Sequence, residues 1–290
     1  VWFKDSLIFY YLKPVKQNIE IFETAFVTAD FRATDVALSK DRYAHLWPSE
    51  GTKIYRKAYV DSVSRHEQFA HCLRNRYFLE AIENLFNEQK IELLINFGCG
   101  FSMYPFLLPK TMAHIEIDMP HSINYKKEKI ADWCASKKLP DRNISFLEAD
   151  FTSNYEPQLL EKIASIKENK RSFIFLEGVL FFIGRPETER LFKLFSTIQG
   201  TDEYVGSVSF QKEIESRTAF KKLIQFTEER LVANEKFCYQ TVEDRYYLNL
   251  DDYAMVDHQN TFTVANKYAP ATILDPDEVL DEHFYVLKKK

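Results

Sequence analysis

Glycine is scarce in this chain, at 7 of 290 residues. A backbone so poor in glycine has few places where it can turn at positive φ or let another group approach closely. Cysteine is thin as well. Cys72, Cys99, Cys134 and Cys238 stand far apart, with no Cys-x-x-Cys pair and no Cys/His cluster. That spacing argues against structural zinc and a secreted disulfide framework, so no metal is expected, and scattered thiols suit a reducing cytoplasm. Long hydrophobic runs are missing too: none approaches the roughly 20 residues of a membrane helix. Val1-Trp2-Phe3-Lys4-Asp5 has no charged n-region or small-residue cleavage site, so it does not read as a signal peptide. Nor is there an excess of one charge. The net charge is −5, and Lys288-Lys289-Lys290 reads as a solvated tail, so neither nucleic acid nor an anionic membrane is an expected partner. Repeats, low-complexity stretches and Gly/Ser linkers are absent.

What is present is an ordinary globular composition, 46% hydrophobic and 28% charged, long enough for one large core with a subdomain around it. Aromatic residues are abundant, with 25 Phe, 16 Tyr and 3 Trp. Most belong in a phenylalanine-rich core, while the excess of tyrosine suits pockets for flat or amphipathic ligands.

The pattern changes once along the chain. Residues 15–88 read as mostly helical, strongest at 20–31 and 66–86. From residue 91, short apolar runs at 91–97, 112–118, 144–149, 172–177 and 204–210 alternate with helix-length segments near 122–137, 155–169, 186–198 and 212–233. Such alternation predicts βαβ units and a parallel sheet. Residues 236–250, 259–265 and 283–288 read as successive strands, as in an antiparallel terminal hairpin. The expected architecture is therefore α/β: a doubly wound Rossmann-like sheet at 89–290 under an N-terminal helical cap at 1–88.

The first apolar run ends in Gly98-Cys99-Gly100, and the second ends in acid, Glu116-Ile117-Asp118. A strand, a Gly-x-Gly turn and an acid-ended second strand are what a doubly wound fold uses to hold a ribose-bearing cofactor. A pyrophosphate cradle would want a third glycine where Met103 stands, and no P-loop is present. A cofactor with adenosine, an amino-acid tail and no phosphate suits the turn better, and S-adenosylmethionine is one.

Four motifs sharpen this reading: Gly98-Cys99-Gly100-Phe101-Ser102, Ile115-Glu116-Ile117-Asp118-Met119-Pro120, Glu148-Ala149-Asp150-Phe151, and Phe175-Leu176-Glu177-Gly178-Val179-Leu180-Phe181-Phe182-Ile183. In this order, behind Arg74-Asn75-Arg76-Tyr77, they resemble the leucine carboxyl methyltransferase family, including its bacterial branch of polyketide-type O-methyltransferases. The resemblance spans roughly residues 70–215. Ser102 and Tyr104 depart from it, standing where many relatives carry Asp and Arg. It implies that Gly98 and Gly100 bring backbone against the methionine part of S-adenosylmethionine and that Asp118 accepts the ribose hydroxyls. It also implies that Asp150 bonds the adenine amine with Phe151 near the ring, that Glu177 faces the cofactor's amino group, and that Arg74 or Arg76 binds its carboxylate.

Each residue has a plainer role open to it. Glu116 competes with Asp118 for the ribose. Asp118 and Asp150 could be helix caps, and Arg74 and Arg76 could be solvent-facing. Glu177, inside an apolar run, needs a cationic or donor partner. None of the seven histidines has a triad or metal-ligand spacing. Tyr43, His45 and Trp47, and Tyr246, Tyr247 and Tyr253, read first as packing. Methyl transfer from a sulfonium is an in-line displacement, so the protein's task is to position the acceptor in a dry pocket. A carboxylate acceptor needs no base, whereas a phenol would benefit from one. The expected activity is O-methylation of a carboxylate or hydroxyl on a small, secondary-metabolite-like acceptor. Residues 1–88 and 236–290 would form the acceptor site. Protein carboxyl methylation, an NAD-type oxidoreductase and a non-catalytic binding protein are the alternatives.

Overall fold

The computed structural model of the chain describes residues 21–230 and 238–290. Its first part is helical: α1 (Ile21–Ala33), α2 (Val36–Ser39), α3 (Glu50–Ser62) and α4 (Glu67–Asn87). Then follow β1 (Leu93–Phe97), α5 (Tyr104–Leu107), β2 (Ala113–Asp118), α6 (Pro120–Ala135), β3 (Ile144–Glu148), α7 (Glu156–Lys167), β4 (Ser172–Leu176), α8 (Arg185–Ile198) and β5 (Tyr204–Phe210). The last part holds α9 (Thr218–Glu228), α10 (Asp244–Leu248), β6 (Tyr253–Asn260), α11 (Thr261–Tyr268) and β7 (Glu282–Lys289).

The strands form one seven-stranded sheet in the order β3-β2-β1-β4-β5-β7-β6. The first five are parallel, while β7 runs antiparallel between β5 and β6. The order reverses between β1 and β4, and open α/β sheets hold their ligands beyond the carboxyl ends of the strands at such a point.

Both faces of the sheet are covered, which is why its central strands read as unbroken apolar runs. Leu93, Ile95 and Phe97 pack with Ile174 and Leu176 against Leu159 and Ile163 of α7 and Leu191 and Phe195 of α8. On the other face Leu94, Phe173 and Phe175 meet Leu73, Phe78 and Ile82 of α4. The end of the helical segment is thus a layer of the sheet sandwich. Its beginning grips the first loop: Phe101, after the glycine turn, lies 4.3 Å from the Phe26 ring and 4.4 Å from that of Trp47.

The terminal region differs from its sequence pattern. Residues 238–243 have no regular structure, and 244–248 are helical, placing Tyr246 and Tyr247 against Phe192. Of the segment expected as a strand at 259–265, only Gln259 and Asn260 are strand. Asn260 then caps α11, its side chain accepting from the Thr263 N–H while the Thr263 hydroxyl accepts from the Asn260 N–H. That capping box outweighs the strand preference of Thr261, Thr263 and Val264. The helix expected at 212–233 is a 3-10 turn at Lys212–Ser216 followed by α9, and its last residues, with 231–237, lie outside the described residues.

Candidate active site

The turn after β1 folds over the end of β2, with the N–H groups of Gly98 and Cys99 donating to the Ile117 carbonyl at 2.8 and 3.0 Å. Gly98 and Gly100 have φ of +67° and +42°, a region that costs other residues energy. A Cβ on Gly98 would lie 2.1 Å from Cγ2 of Val179 and 3.8 Å from the Phe151 ring. The turn therefore touches the segments that follow both β3 and β4.

Asp118, the last residue of β2, holds this turn. Its carboxylate accepts from the Gly100 N–H and the Met119 N–H, both at 2.7 Å. Burial raises its carboxyl above the ordinary aspartate value, and those two backbone bonds oppose the rise. Glu116 serves otherwise. It is fully buried and pairs at 2.5 Å with the equally buried Lys126 of α6, whose ammonium also lies 3.4 Å from the Cys99 carbonyl. Asn96, opposite Glu116 in register, donates to Ser102 at 3.0 Å, and Ser102 donates to the Cys99 carbonyl at 2.9 Å. These polar groups form a platform under the turn, and Asp118 is left as the acid at its rim.

Asp150 closes a tight turn after β3, accepting from the Thr152 N–H at 2.9 Å and the Thr152 hydroxyl at 2.7 Å. Phe151 is buried, 5.4 Å from the Tyr155 ring and 6.0 Å from that of Phe97.

Beyond β4, Glu177 meets Arg74 of α4 at 2.6 Å. The same guanidinium reaches both carboxylate oxygens of Glu282 on β7, at 2.6 and 2.8 Å. Tyr104 donates to Glu177 at 3.4 Å, so a residue that departs from the family pattern belongs to the site. Arg76 is not brought here: it pairs with Glu80 and stacks over the ring of Tyr268. Of the two arginines, Arg74 is the one whose helix face meets the carboxyl end of β4.

Glu67, about two turns before Arg74 on α4, extends the cluster. It accepts from the Tyr59 hydroxyl at 3.3 Å and lies 3.7 Å from His71. Burial, with Glu282 next, pushes its carboxyl up to about 8. Glu282 is raised as well, by burial against the pull of Arg74. Burial holds the His71 imidazole well below its ordinary value, with Arg74 adding to the effect. Arg74 thus stands against the carboxyl groups of Glu177 and Glu282 together, so the trio holds one acid more than base in a desolvated setting. The tail of S-adenosylmethionine carries an ammonium, a sulfonium and a carboxylate, and its net positive charge fits that imbalance.

Sequence reasoning missed Glu282, Glu67 and the Lys126–Glu116 pair. Glu282 lies one residue before the run expected as a strand at 283–288, and it arrives through the insertion of β7 beside β5, opposite Phe210. A surface cavity of about 440 Å³ lies elsewhere, beside α10, with Arg185, Thr241, Glu243 and Tyr246 in its wall.

The family model described as leucine carboxyl methyltransferase matches residues 25–196, more than half of the chain and all of the strand-end motifs. The chain belongs to this family. It is an S-adenosylmethionine-dependent methyltransferase. Two solved structures share the fold of this family member over nearly its whole length. One, a protein from Thermobifida fusca provisionally described as a methyltransferase, is 15% identical with a TM-score of 0.60, covering 92% of this chain and 94% of its own. The other, a DUF574 family protein from Streptomyces avermitilis, is 10% identical with a TM-score of 0.60, covering 92% of this chain and 97% of its own. No curated protein matches the sequence. No helix among the described residues is long and apolar enough to cross a membrane.

Proposed function

We propose that this methyltransferase is a cytoplasmic enzyme that transfers its methyl group to a carboxylate or hydroxyl oxygen of a small molecule. The observation that carries the reading is the junction of Arg74, Glu177 and Glu282 beside the glycine turn, at the reversal of strand order. S-adenosylmethionine supplies an electrophilic methyl on a sulfonium whose departure leaves a neutral thioether. The chain's part is to bind and align. Arg74 and Glu177 take the carboxylate and ammonium of the tail, and the backbone of Gly98 and Gly100 lies along it. Asp118 receives the ribose hydroxyls, and Asp150 with Phe151 receives the adenine.

The acceptor side is built from α3, α4, the segments that follow β4 and β5, and the terminal region. Phe181, Phe210, Phe220 and Tyr239 cluster near the carboxyl ends of β4 and β5, an apolar wall that would keep water from the reacting atoms. An ionised carboxylate acceptor asks for nothing more. For a hydroxyl acceptor Glu67, with its carboxyl at about 8, is the candidate base. The helices described within residues 21–88 and the region 238–290 would share the acceptor site, and no nucleic acid is needed as partner.

The test is a screen of small carboxylic acids and phenols with methyl-labelled S-adenosylmethionine. Label in a small-molecule ester or ether supports the proposal. Label that enters only protein carboxyl groups in an added extract contradicts it and points to protein methylation.

A further inference from the structure

Three residues that no motif connects meet at the far side of β5. We propose that Asp244, His258 and His283 form a binding site for a divalent first-row transition ion, zinc above all. Asp244 opens α10, while His258 and His283 lie on the neighbouring antiparallel strands β6 and β7. The three atoms that face one another are Asp244 Oδ1, His258 Nε2 and His283 Nδ1. They form a triangle with edges of 2.9, 3.5 and 3.9 Å. A point equidistant from the corners of such a triangle lies about 2.0 Å from each, the bond length zinc makes to imidazole nitrogen and carboxylate oxygen.

The surroundings favour an ion over an accidental cluster. The other ring nitrogen of His283, Nε2, lies 3.7 Å from Asp281, close enough for a small side-chain shift to form the carboxylate–imidazole hydrogen bond that fixes the tautomer of a ligating histidine. The rings are held in place: His258 stacks on Tyr285 at 4.7 Å with planes 9° apart. Asp244 Oδ1 accepts from the Tyr285 hydroxyl at 2.6 Å and the Gln211 amide at 2.8 Å, and an arriving ion would take the place of one of these. Two imidazole nitrogens 2.9 Å apart share one proton between them, which a cation would replace. Two carboxylates, Asp244 and Asp281, flank the pair and match a divalent charge. Two imidazoles and one carboxylate suit zinc better than calcium or magnesium, which prefer all-oxygen sites. The three side chains are partly exposed, so the ion has an entry path and room for a water as fourth ligand. Bound there, it would tie the segment before α10, where the Val242 N–H donates to the Phe210 carbonyl, to the two terminal strands.

The test is cobalt titration of the intact, chelator-treated protein, followed by visible absorption and thermal midpoint, with zinc as competitor. The expected result is a one-to-one cobalt spectrum bleached by zinc and a rise in thermal midpoint. Affinity should fall tenfold or more in His258→Ala and in His283→Gln and less in Asp281→Asn, while the Cys238→Ser control binds as the parent does. Circular dichroism of each variant separates lost binding from lost fold. No cobalt spectrum in the parent protein, or undiminished binding in the folded double variant His258→Ala/His283→Gln, would overturn the proposal.

Discussion

Gly98 does two things at once, and the sequence announced only that something would happen there. Its φ of +67° needs a residue without a side chain, and the missing Cβ leaves space that Val179 fills. Strain in the left-handed region costs roughly 1–2 kcal/mol, and a contact of 2.1 Å adds to it. Gly98→Ala should therefore lower stability by about 2 kcal/mol or more in urea unfolding; an unchanged midpoint would mean that the turn is differently shaped. Arg74 and Arg76 carry a different lesson. Both were open from the sequence, because periodicity in a mixed apolar and basic helix does not say which of two cations two residues apart faces the sheet. Glu282 and Glu67 were out of reach for a related reason: their chemistry comes from partners 208 and 8 residues away, which no local pattern encodes.

At the scale of elements, β1 to β5 were legible to within about two residues, because a parallel sheet covered on both faces leaves apolar runs with sharp ends. The terminal region was not. The placement of β7 between β5 and β6 is a long-range choice, and the cap at Asn260 turned a β-branched stretch into a helix. The same limit hid the convergence of two histidines with Asp244. One pair of elements is fastened by an ion pair that the sequence did not suggest. Lys126 fastens α6 to β2 under the glycine turn, and without it Glu116 is a buried carboxylate left with the Asn96 amide at 3.4 Å and the Cys99 thiol, neither of them charged. Lys126→Met should cost about 3–5 kcal/mol, and adding Glu116→Leu should restore most of it, since an apolar pair often replaces a buried ion pair without loss. Denaturant melts of the single and double variants would show this. A double variant as weak as the single would place the fault in packing rather than charge.

For the whole molecule, the charge buried between the helical segment and the sheet sets a pH dependence. The Glu67 carboxyl stands at about 8 in the folded protein against an ordinary 4.5. Its contribution is therefore fully present below about 4.5 and is lost as pH rises towards 8, where the folded state must ionise a buried acid. Glu67→Gln has no such group, so its stability relative to the parent should grow from pH 4.5 to 8 and then level off. Thermal midpoints of the two proteins across that range measure the difference directly, and parallel curves would show that Glu67 is solvated.

One assembly is proposed to receive S-adenosylmethionine: a glycine turn, an acid at its rim and an arginine held between two carboxylates. Isothermal titration with S-adenosylhomocysteine on the parent protein, on Asp118→Ala and on Glu177→Gln tests it most directly. The account predicts binding in the micromolar range for the parent and at least tenfold weaker binding for each folded variant, a loss of about 1.4 kcal/mol or more. No heat from the folded parent, or two variants that bind as tightly as it does, would contradict the site.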